Sequence, residues 1–173
     1  MQKGASAEKE ARQHLKAAPQ QHKLAPSKLT EEHQSITTTQ QKERNESMQR
    51  LVWEQAWDKT ISPGDRKKVE VAFEQANEQA TPMKYIPFWQ ARNYRGELLI
   101  TVIVQNFSEE TMHFTDMPLR YSEDGELIAS HTFSFPNLKL DAKSSMPWTF
   151  IFPIETIKQE PRLEEGFLED IHP

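Results

Sequence analysis

The sequence contains no cysteine, only 5 glycines among 173 residues, and no long apolar run. The absence of cysteine excludes disulfides, thiolate metal sites and a cysteine nucleophile. The few glycines form no phosphate-binding loop and no G-x-S-x-G turn, so these signatures of nucleotide-binding proteins and hydrolases are missing. No stretch approaches the roughly 18 apolar residues of a transmembrane helix, and the N-terminus lacks the apolar region of a signal peptide. These absences predict a protein located in the cytoplasm or at the inner face of the membrane.

The residue types that most often carry chemistry show no catalytic or metal-binding pattern. The 6 histidines form no H-x-x-x-H or H-E-x-x-H pair, the spacing that presents two imidazoles to zinc on one helix face. Residues 124–126, Asp-Gly-Glu, lack the spaced oxygen ligands of a calcium loop and are predicted to form a turn. We therefore expect a non-enzymatic protein without a metal or cofactor. Paired acids for glycoside cleavage stay open, because their pairing is spatial rather than sequential.

Charge is distributed unevenly along the chain. Residues 1–50 carry 9 basic and 6 acidic residues, a net charge of +3, whereas residues 51–173 carry 12 and 20, a net charge of -8. Nucleic-acid binding needs a basic face, so an acidic folded part argues against it. We therefore expect no nucleic-acid partner for the folded part.

Residues 1–46 contain no aromatic residue and are rich in Gln, Lys, Glu, Thr and Ala. This composition predicts a disordered polar tail, with transient helix near residues 5–18. Two roles stay open for the tail: a solvated spacer, or a segment that folds on contact with a partner.

A helical hairpin is predicted over residues 47–80. Residues at helical spacing indicate its first helix: Met48, Leu51, Val52, Gln55 and Ala56. Ser62 is a good N-cap for the second helix, with Pro63 at its first position and Asp65 at its third. The second helix has its own apolar stripe and is expected to stop at Pro82: Val69, Ala72, Phe73 and Ala76. Helices this short do not stand alone, so the hairpin must pack on another element.

Residues 81–158 change to the period of β-strands. Residues 98–104 are apolar on both faces, which is typical of a central or helix-covered strand. Gly96 marks a hairpin turn that pairs this strand with residues 85–91. Pro87 confines that partner strand to a sheet edge or a bulge, because proline has no N–H to donate.

A second group of strands follows. Residues 112–116 alternate as a half-buried strand, and Leu119 and Tyr121 lead into a turn at Gly125. The next strand is predicted to place five residues on one face: Leu127, Ala129, His131, Phe133 and Phe135. A loop is expected over residues 137–143.

The most apolar stretch is SSMPWTFIFP, residues 144–153. Three large aromatic residues alternate along it on one face: Trp148, Phe150 and Phe152. Burying them would contribute on the order of 6–9 kcal/mol, as much as the net stability of a whole domain. The stretch is therefore predicted to be a core strand, and Pro147 and Pro153 are consistent with an edge strand or with clean termination.

Residues 159–173 form an acidic tail, in which Phe167, Leu168 and Ile171 either add a final short strand or pack loosely. Taken together, the pattern predicts a mainly β fold with some α structure. Its expected architecture is an immunoglobulin-like antiparallel β-sandwich of six or seven strands. A short helical hairpin and the disordered N-terminal tail precede the sandwich.

Five short motifs occur in a recognisable order over residues 51–157. They are ISPGDR, GELLITVIVQN, MPL, DGELIA and KSSMPWTFIFP, which begin at residues 61, 96, 117, 124 and 143. Their order resembles the SLAP domain family of Bacillus-related bacteria, which is named for the S-layer assembly protein. The P-W-T-F-x-F run is the most specific of the motifs.

The resemblance implies an accessory role in the export or assembly of surface proteins, beside an accessory Sec-type secretion ATPase. It supplies no catalytic residues. The founding members carry the domain in duplicate, whereas this chain has it once. Two other functions stay open: a cytoplasmic scaffold or regulatory protein that self-associates through the sandwich, and a cell-wall or carbohydrate-binding module that uses the tryptophans.

Three of the four tryptophans lie outside the SSMPWTFIFP stretch: Trp53, Trp57 and Trp89. One interpretation is that they bury the helical hairpin against the sheet. The other is that they form an exposed aromatic patch that binds an extended segment of a partner protein. A proline-bracketed edge strand would then allow that segment to add to the sheet as a further strand.

Overall fold

The computed structural model describes residues 49–172. The predicted disordered tail, residues 1–46, and Met48 of the predicted first helix lie outside these residues. None of the helices between residues 49 and 172 is long and apolar enough to cross a membrane.

Strands in two sheets are the predominant secondary structure of the described residues, so the prediction of a mainly β fold is confirmed. The strands are β1 Arg50–Leu51, β2 Tyr85–Arg92, β3 Leu98–Asn106, β4 Met112–Glu123, β5 Glu126–Leu140, β6 Ser144–Phe152 and β7 Gly166–Asp170. The first sheet is a curled half-barrel with the order β1-β6-β3-β2, and the second has the order β5-β4-β7. The second sheet is antiparallel, but β1 runs parallel to β6, so the expectation of a purely antiparallel sandwich is wrong for the first sheet.

The strand β1 replaces the start of the predicted first helix. Arg50 N donates to Lys143 O at 2.9 Å, and Val52 N donates to Ser145 O at 2.8 Å. Leu51 and Val52 are neighbours in sequence, yet they pack against different apolar clusters on the two sides of the sheet. Successive side chains of a strand point to opposite faces, so a strand lets this apolar pair contribute to both clusters. A helical stripe would place both residues on one face.

Two helices follow, α1 Gln55–Thr60 and α2 Pro63–Asn77. The Glu54 carboxylate caps α1 by accepting from Ala56 N at 2.7 Å and Trp57 N at 3.2 Å. The predicted cap of α2 is confirmed, since Ser62 Oγ accepts from Asp65 N at 3.1 Å.

The predicted end of α2 at Pro82 is wrong, because the helix ends at Asn77. There the backbone tightens into bonds that span three residues, from Glu78 N to Gln75 O at 3.3 Å and from Gln79 N to Ala76 O at 3.2 Å. These bonds satisfy carbonyls at the helix end before the proline is reached.

Both predictions for Pro87 are confirmed. β2 lies at the edge of the first sheet, and its pairing with β3 shifts register between Pro87 and Trp89. The turn that joins the two strands has Gly96 in the left-handed conformation, at φ +80°.

The second sheet differs from the sequence-based expectation in the length and facing of its strands. β4 extends beyond the strand predicted over residues 112–116 and ends at Glu123, and β5 runs to Leu140, into the loop predicted over residues 137–143. At the start of β5 the register slips, so that Tyr121 pairs with Ala129 and Ser122 with Leu127. Ile128 is the extra residue of this bulge and is buried, whereas Leu127 is 40% exposed, which breaks the predicted alternation.

The chain end expected to be an acidic tail contributes β7, which pairs with β4 and buries Leu168. The alternative of a final short strand is therefore the one that the structure adopts. Phe167 on the opposite face is 51% exposed.

The main core lies between the two sheets, with a second apolar cluster beneath α2. Phe150 and Phe152 of β6 are fully buried and meet Phe133 edge-on, at ring-centroid distances of 5.1 and 4.9 Å. The prediction that SSMPWTFIFP is a core strand is confirmed. In the second cluster Val69 of α2 packs with buried Ile86 and Ile103 on the outer face of the first sheet, which is where the helices dock.

Candidate functional site

The outer face of the first sheet carries three rows of side chains across β2, β3 and β6. The pairing register gives the rows as Ile86, Ile103 and Pro147; Trp89, Thr101 and Thr149; and Ala91, Leu99 and Ile151. The first row is buried beneath α2. The other two rows include Trp89 at 60% exposure and Ile151 at 44%, so α2 leaves this part of the face uncovered.

An apolar groove lies over the two uncovered rows. Trp57 of α1 forms one wall of a cavity of about 210 Å³, and Trp89 forms another; the remaining lining residues are Ala91, Leu99, Thr101 and Thr149. The Oγ1 atoms of Thr101 and Thr149 lie 2.8 Å apart and share one hydrogen bond. The cavity therefore offers an incoming group mainly apolar surface.

The structure brings together two of the three tryptophans singled out from the sequence. Trp57 and Trp89 face the groove. Trp53 is half-buried in the second cluster, with the Arg66 guanidinium 4.3 Å from its ring centroid. Trp53 thus packs between the helices and the sheet. Trp57 is half-buried and Trp89 is exposed, and their role as a partner-binding surface stays a prediction.

Sequence reasoning missed the rest of the groove lining, including Leu99 and Thr149. Alternation along β3 and β6 could have assigned these residues to one face. It could not have shown how far the helices extend over that face, because helix coverage depends on the docking of α1 and α2. The exposure of Ile151, two rows from buried Ile103, follows from that docking.

The β6 edge beside the groove has unpaired backbone groups. Val52 N bonds to Ser145 O, so Ser145 faces β1, and alternation turns Thr149 and Ile151 toward the same side. Gln105 of β3, the partner of Ser145, bonds through its N–H to Lys84 O on the β2 side. Its N–H therefore points away from Ser145, which agrees with this alternation. β1 ends at Leu51, and within residues 49–172 no backbone or side-chain group bonds to the N–H or C=O of Thr149 or Ile151.

Pro147 explains where β1 leaves β6. It follows Ser145 on the same side of the strand and has no N–H with which to continue the parallel pairing. It is tolerated inside the strand because its nitrogen faces away from β3, with which it pairs only through Ile103. The expectation of an edge strand therefore holds for the part of β6 beyond Pro147.

A second cavity, of about 470 Å³, lies beside β2 and β7. Its charged groups are paired: Lys84 Nζ lies 2.7 Å from Asp170 Oδ2, and Tyr85 Oη donates to Asp170 Oδ1 at 2.9 Å. Burial, followed by the Asp170 charge and hydrogen bond, raises the pKa of Tyr85. These contacts hold the two strands together and leave no free charge among them for a ligand.

A third cavity, of about 340 Å³, is lined by acidic residues and Arg162. The buried Glu123 carboxylate accepts from Tyr121 Oη at 2.9 Å, Arg162 N at 2.7 Å and Leu163 N at 3.1 Å. Its hydrogen-bonding capacity is largely used by the protein itself. No group of three or more metal-ligating side chains occurs in the described part of the chain.

The comparisons with known proteins give one family. The SLAP domain family, whose name ties it to the accessory Sec system, matches residues 51–168. The match contains both helices, the groove and the strands β2 to β6, and it leaves out only Arg50 of β1 and the last two residues of β7. No curated protein and no solved structure matched the chain. The matched segment covers more than half of the sequence, and the chain belongs to the SLAP domain family.

Proposed function

We propose that this protein is a non-enzymatic interaction module that serves the accessory Sec system in the export or assembly of bacterial surface proteins of the S-layer type. The observation that carries the proposal is the SLAP domain match over residues 51–168. Its partner would be a protein, either a component of the export machinery or a surface-protein client.

The groove supports a protein partner over a small-molecule substrate. Trp57 and Trp89 present aromatic surface beside a mainly apolar cavity, and tryptophans are enriched among the residues that dominate protein interfaces. Trp89 is 60% exposed, so its ring is available for contact without unfolding. The groove lining contains no titratable side chain that could act as an acid, base or nucleophile.

The test is a crosslinking capture of the full chain in its native cell, with wild type and Trp89→Ala compared. We expect wild type to capture the accessory secretion ATPase or surface-protein precursors. We expect Trp89→Ala to capture at least about tenfold less, because loss of an interface tryptophan typically removes 2 kcal/mol or more of binding energy.

Phe167→Ala is the matched control. Phe167 is also a large exposed aromatic residue, at 51%, but it lies on β7 of the second sheet. Capture by this variant should equal that of wild type. If wild type captures only copies of itself, or no export component, the proposed function is wrong.

A further inference from the structure

We infer that the free edge of β6, at Thr149 and Ile151, binds an extended segment of a partner polypeptide by strand addition. The segment carries a large apolar side chain that enters the groove, and a net charge that is zero or positive. This inference rests on the proposed function and specifies the chemistry of the partner.

The backbone of β6 determines the conformation of the occupant. Thr149 and Ile151 present two N–H and two C=O groups along one edge, without partners in residues 49–172. An added strand pairs with alternating donors and acceptors of this kind, whereas a helix has already used its own backbone groups. The central part of β6 is rigidly held, because Phe150 and Phe152 are fully buried and pair with β3.

The groove determines which side chains the segment carries. Thr149 belongs both to the free edge and to the lining of the 210 Å³ cavity. An added strand would lie about 4.8 Å from β6, so a long apolar side chain opposite Thr149 can extend over β6 toward the cavity, whose far wall is Trp89 of β2. Ile151, at 44% exposure, provides a second apolar contact one row further along.

Charge separates the preferred partners from other extended chains. Residues 51–173 carry a net charge of -8, and the groove lining itself contains no charged residue. The negative charge of this part of the chain would repel an acidic segment. It would attract a basic segment and would not repel a neutral one. The preference should weaken as salt is added, since the charges lie at the surface.

The test uses dye-labelled peptides and the full chain, with binding followed by fluorescence anisotropy. The peptides alternate Thr and Val around one central Ala, Leu, Phe or Trp, and they end in either Lys or Glu. We expect the Lys-ended peptides with a large central residue to bind, and the Glu-ended peptides to bind more weakly at low salt. If no peptide of the set binds, the inference is wrong.

Ile151→Pro removes one free N–H and leaves the ladder with β3 intact, because Ile151 faces the same edge as Pro147. We expect it to weaken peptide binding at least fivefold, roughly the value of one hydrogen bond together with its steric block. Ile151→Val keeps the N–H and the branched side chain and should bind within about twofold of wild type. Equal binding by all three proteins would overturn the inference.

Trp89→Ala gives a second variant that does not alter the strand backbone. We expect it to reduce the preference for a large central residue, so that the Leu, Phe and Trp peptides bind only slightly better than the Ala peptide. Light scattering without peptide tests a different occupant: if wild type is a dimer and Ile151→Pro is a monomer, the edge binds a second copy of this chain and the assignment to a partner is wrong.

The two proposals can fail separately. If wild type and Ile151→Pro capture the same export components from cells, the proposed function stands and the β6 edge is not the site. If wild type captures none, the proposed function fails, and peptide binding still decides whether the edge accepts a strand.

Discussion

Tyr121 connects the second sheet to the chain segment that leads into β7. Its ring is fully buried, and its hydroxyl donates to Glu123, whose carboxylate also accepts from Arg162 N and Leu163 N. Burial, followed by the hydrogen bond to Glu123, raises the pKa of Tyr121 above its ordinary value of 10.0. The folded protein therefore keeps this tyrosine neutral when the unfolded chain begins to ionise it.

Stability should consequently fall at alkaline pH. The contribution of neutral Tyr121 is fully present below pH 10 and is lost as the pH rises further, by up to about 1.4 kcal/mol per pH unit. Tyr85 contributes in the same direction, because its pKa is also raised. We expect Tyr121→Phe to cost roughly 1–2 kcal/mol near neutral pH and to lose less stability above pH 10 than wild type. Urea unfolding across this pH range checks the difference, and parallel curves would contradict it.

The fold requires glycine at position 166 because there is no room for a side chain there. A Cβ at this position would clash with the ring and hydroxyl of Tyr121, which cannot move because it is buried and bonded to Glu123. We expect Gly166→Ala to destabilise the fold by roughly 1–3 kcal/mol. Gly64→Ala is the control: its nearest neighbour would be Ser62 Oγ at 4.0 Å, and alanine favours the helix. A thermal unfolding comparison in which both variants match wild type would refute the account of Gly166.

At the scale of elements, α2 is held by one face. Val69 is fully buried against Ile86 and Ile103, whereas Val71, two residues further along the same helix, is 38% exposed. We expect Val69→Ala to cost roughly 2 kcal/mol in the free energy of unfolding and Val71→Ala less than about 0.5. The substitution is the same at both sites, so helix propensity cancels, and equal costs would mean that α2 does not dock as described.

The sequence predicted those elements whose signals are local. The cap at Ser62, the left-handed turn at Gly96 and the edge position forced by Pro87 all arise from the conformational limits of single residues. The aromatic alternation of β6 was equally clear, because three large side chains at every second residue lie on one face when the chain is an extended strand.

The features that sequence reasoning missed depend on contacts between distant residues. In the sequence, Leu51 and Val52 fit a helical stripe. They form a strand instead because β6 lies beside them and Ser145 O accepts a hydrogen bond from Val52 N. The bulge at Ile128 depends on pairing with Tyr121, and the extension of β5 to Leu140 on pairing with Met112. For the site, exposed Trp89 could be proposed from the sequence, but its grouping with Trp57 and separation from Trp53 required the docked helices.

At the scale of the molecule, the division of the outer sheet face links the fold to the proposed function. Apolar residues on β2, β3 and β6 form one continuous face, of which α2 covers a single row. Pro147 ends the pairing of β1 just where the uncovered rows begin, so the free edge and the apolar groove occur together. An extended partner segment would complete both the sheet edge and the burial of the face.

The most direct test of this account is amide hydrogen exchange of the full chain, resolved by residue along β6. In the free protein we expect the N–H groups of Thr149 and Ile151 to exchange rapidly and those of Phe150 and Phe152 slowly, because only the N–H groups of the latter two point toward β3. Addition of the Lys-ended peptide should slow Thr149 and Ile151 alone. Slow exchange at all four positions in the free protein, or no change at Thr149 and Ile151 with bound peptide, would contradict the account.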